Sequence, residues 1–157
     1  MDFKNRKIRI FGKILFVLYV AFLLYFLLFS EIYGRTGTRM EYSYNLELFK
    51  EIKRFWNYRD ILGTYVVTMN LLGNVAIFIP FGFFLPMASG YKSFVTTFLY
   101  SFLVSLGIES VQLITRIGSF DVDDLLLNTL GGCIGYIIFS IFVKSRRRYE
   151  ACKKTKR

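Results

Sequence analysis

Residues 109–135 read ESVQLITRIGSFDVDDLLLNTLGGCIG, a pattern that predicts a hairpin of two helices. Its charged residues gather around one short turn, and apolar residues continue away from that turn on both sides. A helix that crosses a membrane needs about 20 mostly apolar residues. Including the two that flank the turn, the chain contains four candidate runs, at residues 14–29, 68–87, 94–114 and 125–143.

The composition agrees with a membrane protein. Of the 157 residues, 54% are hydrophobic, 18 are Phe and none is His, whereas soluble domains are about 45 to 50% apolar. Without His the chain lacks the commonest metal ligand and the commonest general base near neutral pH, so any chemistry must use carboxylates, amides, hydroxyls or arginine. Cys133 and Cys152 are too few and too differently placed to form a disulfide scaffold, and we expect both to be unpaired.

The positive charge is concentrated at the two ends. Residues 1–13 contain five basic residues and one acidic residue, and residues 144–157 contain eight basic residues and one acidic residue. Lys and Arg beside apolar runs mark cytoplasmic segments and do not require nucleic acid as a partner. The sequence predicts an all-α membrane protein with four transmembrane helices and both termini cytoplasmic. Its predicted parts are a basic tail at 1–13, a membrane domain at 14–143 and a basic tail at 144–157.

The link between the first two runs carries an amphipathic pattern. Charged residues such as Glu51 fill one side of this pattern, which predicts an extracytoplasmic helix in the membrane interface. That helix could cap a site between the spans or serve only as an anchor. Its apolar residues recur every three or four positions, at Leu46, Phe49, Ile52, Phe55 and Trp56.

Polar residues inside the predicted spans gather at one depth. Such residues are costly in lipid and tend to face the bundle interior or a wet cavity. Counting along each span places all of them in its outer turns, below the extracytoplasmic surface. These residues are Asn70 and Asn74 in the second span, Glu109 and Gln112 in the third, and Asn128 in the fourth.

The spacing of these residues predicts helical stripes. Steps of three or four residues join Glu109 and Gln112 to Arg116, and Asp121 and Asp124 to Asn128, so each set is expected on one helix face. Asp123 falls off the stripe and is the weakest candidate among the acids. The candidate catalytic residues are therefore Glu109, Asp121 and Asp124, and the candidate ligand-binding residues are Asn70, Asn74, Gln112, Arg116 and Asn128.

These charged residues could form a functional site or could only stabilise the structure, and the sequence leaves both explanations open. Loss of hydration would raise the pKa of Glu109 and suit it to proton transfer, and Arg116 would suit an anionic group such as phosphate. The same charges could instead neutralise one another and hold the hairpin. The small-xxx-small pair Gly131 and Gly135 is expected to serve helix packing, and Pro80 is expected to bend the second span.

The motifs also resemble a known family. The string Asn74-Val-Ala-Ile-Phe-Ile-Pro-Phe-Gly82, then Glu109-x-x-Gln112, then Gly118-x-x-Asp121-x-x-Asp124-x-x-x-Asn128-x-x-Gly131-x-x-x-Gly135, is similar to the VanZ family of bacterial membrane proteins. Asn45-Leu46-x-x-Phe49 resembles the entry motif of that family, although Leu48 stands where a proline is usual. The resemblance implies a four-span protein of the bacterial cell membrane, associated in its founding member with low-level teicoplanin resistance. The positions it carries over are Asn74, Glu109, Gln112, Asp121, Asp124 and Asn128.

Two functions remain open from the sequence. The first is an outer-leaflet enzyme that acts on a lipid-linked envelope component, with carboxylates as acid or base or as ligands of a divalent cation. The second is a non-catalytic protein that binds a lipid headgroup or a lipoglycopeptide. An assembly partner that uses its basic tails on anionic membrane lipids is a third idea. No haem, zinc or nucleotide signature occurs. A transporter is disfavoured because the inner halves of the spans lack acids and Asn, although a homo-oligomer could supply a polar path.

Overall fold

The computed structural model describes residues 6–29, 41–89 and 92–155. It is an all-helical bundle with one very short pair of strands. In chain order the elements are α1 (Arg6–Phe29), β1 (Tyr44–Asn45), α2 (Lys50–Asn57), α3 (Arg59–Leu62), α4 (Thr64–Ser89), α5 (Phe94–Thr115), β2 (Phe120–Asp121) and α6 (Val122–Thr155).

Three helices in the described part of the chain are long and apolar enough to cross a membrane. They are Val67–Ser89, Phe94–Thr115 and Val122–Lys153, and the apolar part of α1, Ile10–Phe26, is shorter. The three predicted spans from 68 onward therefore match helices within a few residues at most ends. The last helix is the exception, because α6 continues to Thr155 through the segment predicted as a separate tail.

One cluster of buried apolar side chains joins α1, α4 and α5. Leu23, Phe78, Phe81, Leu85 and Ile108 are buried together, and the hydroxyl of Tyr19 in α1 donates to the backbone of α4. Helix α4 continues through Pro80 and Pro86 without a break.

Helices α4 and α6 touch through their backbones. A Cβ added at Gly131 would overlap the carbonyl oxygen of Val75, and one at Gly135 would overlap that of Ile79. Glycine lets two helices approach this closely. The packing role predicted for Gly131 and Gly135 is therefore confirmed.

The amphipathic segment is helical over a shorter range than its pattern predicts. Helix α2 begins at Lys50 because the backbone of Phe49 is left-handed, with φ of 66°, and Leu46 lies before this turn, in the link that follows β1. Phe55 is half-buried and Trp56 is exposed. Pattern counting missed this turn because a left-handed residue interrupts the helix without changing the spacing of apolar residues.

Candidate functional site

The two polar links of the chain meet at one end of the bundle, which we call the hairpin end. There β1 pairs in parallel with β2, with Asn45 beside Asp121. The backbone N–H of Phe120 donates to the Ser43 carbonyl at 3.1 Å. This pairing holds the segment before α2 against the turn between α5 and α6.

Glu109 and Asp121 are joined through the backbone of this turn. The N–H of Asp121 donates to Oε2 of Glu109 at 2.9 Å. Oδ1 of Asp121 accepts from Nδ2 of Asn45 at 3.1 Å and from the N–H of Asp123 at 2.8 Å. Glu109 is only 2% exposed, so it supports the turn from inside the bundle.

The carboxyl of Asp121 is electrostatically perturbed. Burial raises the pKa of its carboxyl above the ordinary value, and the negative charge of Asp123 adds to the rise. The hydrogen bonds from Asp123 and Asn45 and the charge of Arg54 oppose it. Its position corrects the predicted stripe, because Asp121 lies in β2 and α6 begins only at Val122.

Asp123 holds the start of α2. Its carboxylate accepts hydrogen bonds from the backbone N–H groups of Phe49, Glu51 and Ile52, at 2.9 Å for Glu51 and 3.2 Å for Ile52. The first N–H groups of a helix have no partner within the helix, so a carboxylate placed there satisfies them. Asp123, which the spacing ranked lowest among the candidate acids, is 1% exposed and joins α6 to α2.

Two predicted amides connect the helices. Nδ2 of Asn74 in α4 donates to Oδ1 of Asp124 in α6, and Nδ2 of Asn128 in α6 donates to Oγ of Ser105 in α5 at 2.9 Å. Asn74 and Asn128 are both buried. Both side chains therefore connect helices through hydrogen bonds.

A polar cavity of about 140 Å³ opens between α2, α4 and α6. It is lined by Glu51, Phe55, Asn70, Leu71, Gly118, Ser119, Asp121, Asp123, Asp124 and Leu127. Four of these side chains are carboxylates, and no Lys or Arg is among the lining residues described. The cavity thus offers mainly hydrogen-bond acceptors to a ligand.

Glu51 is a cavity residue that sequence reasoning missed. The amphipathic pattern assigned it to the charged face of α2, but that face turns partly toward the bundle. Burial raises the pKa of Glu51, while Arg54 lowers it and lies 3.1 Å away in an ion pair. A helix that is attached at its N-terminus by Asp123 necessarily brings residue 51 close to the same carboxylate, and no sequence signal announced this attachment.

An apolar groove of about 420 Å³ lies between α1 and α4. Asn70 lines both the groove and the cavity. The polar cavity and the apolar groove therefore share the side chain of one residue on α4. The other groove residues are Tyr19, Phe22, Phe26, Met69, Gly73, Ala76, Ile77 and Pro80.

Arg116 lies away from the predicted stripe. Helix α5 ends at Thr115, and Arg116 has a left-handed backbone with φ of 59°. Its guanidinium carbon lies 4.3 Å from the centre of the Tyr42 ring, a cation–π contact. Arg116 does not line the cavity, and its proposed contact with phosphate stays a prediction.

The candidate residues thus divide into two layers. Asp121, Asp124 and Asn70 line the cavity, together with the unpredicted Glu51 and Asp123. Behind them lie the buried side chains of Glu109, Gln112, Asn74 and Asn128. Within the described ranges, no three acidic or cysteine side chains converge to hold a metal ion.

Comparison with known proteins adds one relationship. The family model described as VanZ/LLP1 matches residues 16–143. Protein VanZ from Enterococcus faecium is 29% identical over 136 residues, which cover 85% of this chain and 76% of that protein. No solved structure matches.

Proposed function

We propose that this chain, which belongs to the VanZ/LLP1 family, binds an acylated ligand at the outer leaflet and so contributes to low-level teicoplanin-type resistance. The ligand is a lipid-linked envelope component or the lipoglycopeptide itself. The observation that carries this proposal is Asn70, which lines both the apolar groove and the polar cavity. An amphiphile needs one apolar and one polar compartment within reach of each other.

The apolar groove suits an acyl chain. Aromatic and aliphatic side chains of α1 and α4, including Phe22 and Ile77, form its walls. Burial of one CH₂ group contributes about 0.8 kcal/mol. Because a lipid-facing groove competes with bilayer lipid for the same chains, the polar head must supply selectivity.

The cavity indicates the chemistry of that head. Carboxylates of Glu51, Asp121, Asp123 and Asp124 line it, and they accept hydrogen bonds from hydroxyl, amide N–H or ammonium groups. A phosphate would meet like charges there and is disfavoured. We therefore expect the sugar or peptide portion of the ligand, rather than a phosphate, to occupy the cavity.

A catalytic variant of this function is favoured by one observation. The Asp121 carboxyl lines the cavity and has a raised pKa because of its burial, as a general acid requires. In that case Asp121 would act on the bound head group. Glu109 would position Asp121 through the bond to its N–H, rather than contact the ligand.

Filling the groove tests the proposal. Ala76→Phe places a ring in the groove and should weaken binding of teicoplanin to the purified protein by about tenfold or more, which corresponds to about 1.4 kcal/mol. It should also remove any protection of cells against teicoplanin. Leu103→Phe is the matched control, because Leu103 is 57% exposed on α5 and does not line the groove.

The acyl chain itself supplies the second arm of this experiment. Wild-type protein should bind teicoplanin more tightly than the same glycopeptide without its acyl chain. Equal affinity for both, or unchanged affinity in Ala76→Phe, would contradict binding of the acyl chain in the groove. Mass spectrometry of the ligand after incubation separates catalysis from binding. A new product that disappears in Asp121→Asn indicates catalysis, and unaltered ligand indicates binding alone.

A further inference from the structure

Buried hydroxyl groups follow one face of α5. Thr97, Ser101 and Ser105 are spaced four residues apart, and the series continues to Glu109. None of the four is more than 2% exposed. Residues four apart on a helix share a face, and here that face packs against α6. We call these residues, with Asn128, the α5–α6 seam.

The contacts of Ser101 and Ser105 fix the register of the seam. Ser105 lies opposite Asn128, whose amide donates to its hydroxyl at 2.9 Å. One turn along, Ser101 lies opposite Gly132, where an added Cβ would overlap Oγ of Ser101. Ser101 and Asn128 are thus in neighbouring layers, separated by about one helical turn of 5.4 Å.

Two polar atoms in these layers lack protein partners. Oγ of Ser101 and Oδ1 of Asn128 make no hydrogen bond to any residue that the structure describes. Ser101 is 0% exposed and Asn128 is 1% exposed. A buried polar group without a partner is unfavourable, above all where bulk water is excluded by lipid.

We propose that the α5–α6 seam binds an internal water molecule between Ser101 and Asn128. The water donates one hydrogen bond to Oδ1 of Asn128 and accepts one from the Ser101 hydroxyl. Two hydrogen bonds of about 2.8 Å that meet at one water oxygen span about 4.6 Å at a tetrahedral angle and up to about 5.6 Å in line, which brackets one turn of about 5.4 Å. Buried water characteristically satisfies polar groups that have no other partner.

This site extends the polar path from the candidate site into the bundle. From Glu109 to Thr97 the seam covers 12 residues of helix, a rise of about 18 Å. The sequence analysis predicted no polar path through the inner halves of the spans, because it considered acids and amides and left out hydroxyl groups. With the water in place, hydrogen-bonding groups continue from the hairpin end toward the opposite end of α5.

Water-edited solid-state NMR of the protein in lipid bilayers tests this site. We expect magnetisation to pass from water to the side-chain amide of Asn128 nearly as fast as to that of Asn70, which lines the polar cavity. The backbone N–H of Phe78, in the apolar core, should receive it several times more slowly.

Variants then separate the water from the hydroxyl groups around it. Ser101→Ala should slow the transfer to Asn128 several-fold and lower the melting temperature. Ser110→Ala is the control and should change neither, because its hydroxyl donates to the Leu106 carbonyl within α5. Transfer to Asn128 as slow as to Phe78 would overturn the proposal, and so would transfer that Ser101→Ala leaves unchanged. A higher melting temperature in Ser101→Ala would show a dry, unsatisfied hydroxyl and would also overturn it.

Discussion

Asp123 connects helices that are far apart in sequence. Its carboxylate, at the start of α6, accepts three backbone N–H groups at the start of α2. The side chain of Phe49, the residue before α2, makes no capping hydrogen bond to the helix. The attachment of α2 over the polar cavity therefore depends on a side chain more than 70 positions away in the chain.

Removing this carboxylate should detach the start of α2. Asp123→Ala leaves three N–H groups without their acceptor, and loss of a helix cap costs about 1 kcal/mol. Hydrogen exchange should accelerate at residues 50–52, while α4 and α5 keep their protection. Glu47→Gln is the control, because Glu47 is exposed and pairs only weakly with Lys50 at 3.7 Å. Unchanged exchange at residues 50–52 in Asp123→Ala would contradict this role.

The residues placed wrongly by the sequence share one cause. The stripes assumed that helical spacing continues through Arg116 and Asp121, but α5 ends before Arg116 and Asp121 pairs as a strand with Asn45. A two-residue strand pair has no periodicity to detect. Helical spacing does hold inside α4 and α5, where Asn74 and Glu109 contact the hairpin residues Asp124 and Asp121.

Contact between α4 and α6 determines whether the helices can form the cavity walls. The backbones meet at Gly131 and Gly135, where any side chain would overlap a carbonyl oxygen of α4. By contrast, Gly107 on α5 has no neighbour near its Cβ position. The spacing of glycines was visible in the sequence, but it could not show which of them face a helix.

Alanine substitutions should separate these two kinds of glycine. Gly135→Ala forces the helices apart and should lower the melting temperature in detergent by several degrees, since overpacking costs about 1 to 3 kcal/mol. Gly107→Ala should be neutral or slightly stabilising, because alanine favours helix over glycine by about 1 kcal/mol. Equal effects of the two substitutions would contradict the close approach of α4 and α6.

The chain as a whole is predicted to place its hairpin end outside the cell and its basic ends inside. Three helices are long and apolar enough to cross a membrane, and the predicted even number of crossings requires the shorter apolar part of α1 as a fourth span. The basic residues of the last helix continue it beyond the apolar run. The orientation follows from charge alone. It determines whether the cavity meets the outer leaflet.

The native cysteine Cys152 reports this orientation. Cys152 is exposed near the end of α6, so with Cys133→Ala it becomes the single thiol of the chain. A membrane-impermeant maleimide should label it in inside-out vesicles and leave it unlabelled in intact cells. Asn57→Cys, at the exposed end of α2, should give the opposite result in a chain without the two native cysteines. Labelling of Cys152 in intact cells would show that the topology is the reverse of the predicted one.

Photo-crosslinking with teicoplanin that carries a diazirine on its acyl chain tests whether the groove binds that chain. The label, mapped by mass spectrometry in membranes, should concentrate on the groove walls of α1 and α4 at Tyr19–Phe26 and Met69–Pro80, and an excess of unlabelled teicoplanin should suppress it. Label spread over the exposed faces of α5 and α6, with no such suppression, would contradict an acyl-chain site in this protein.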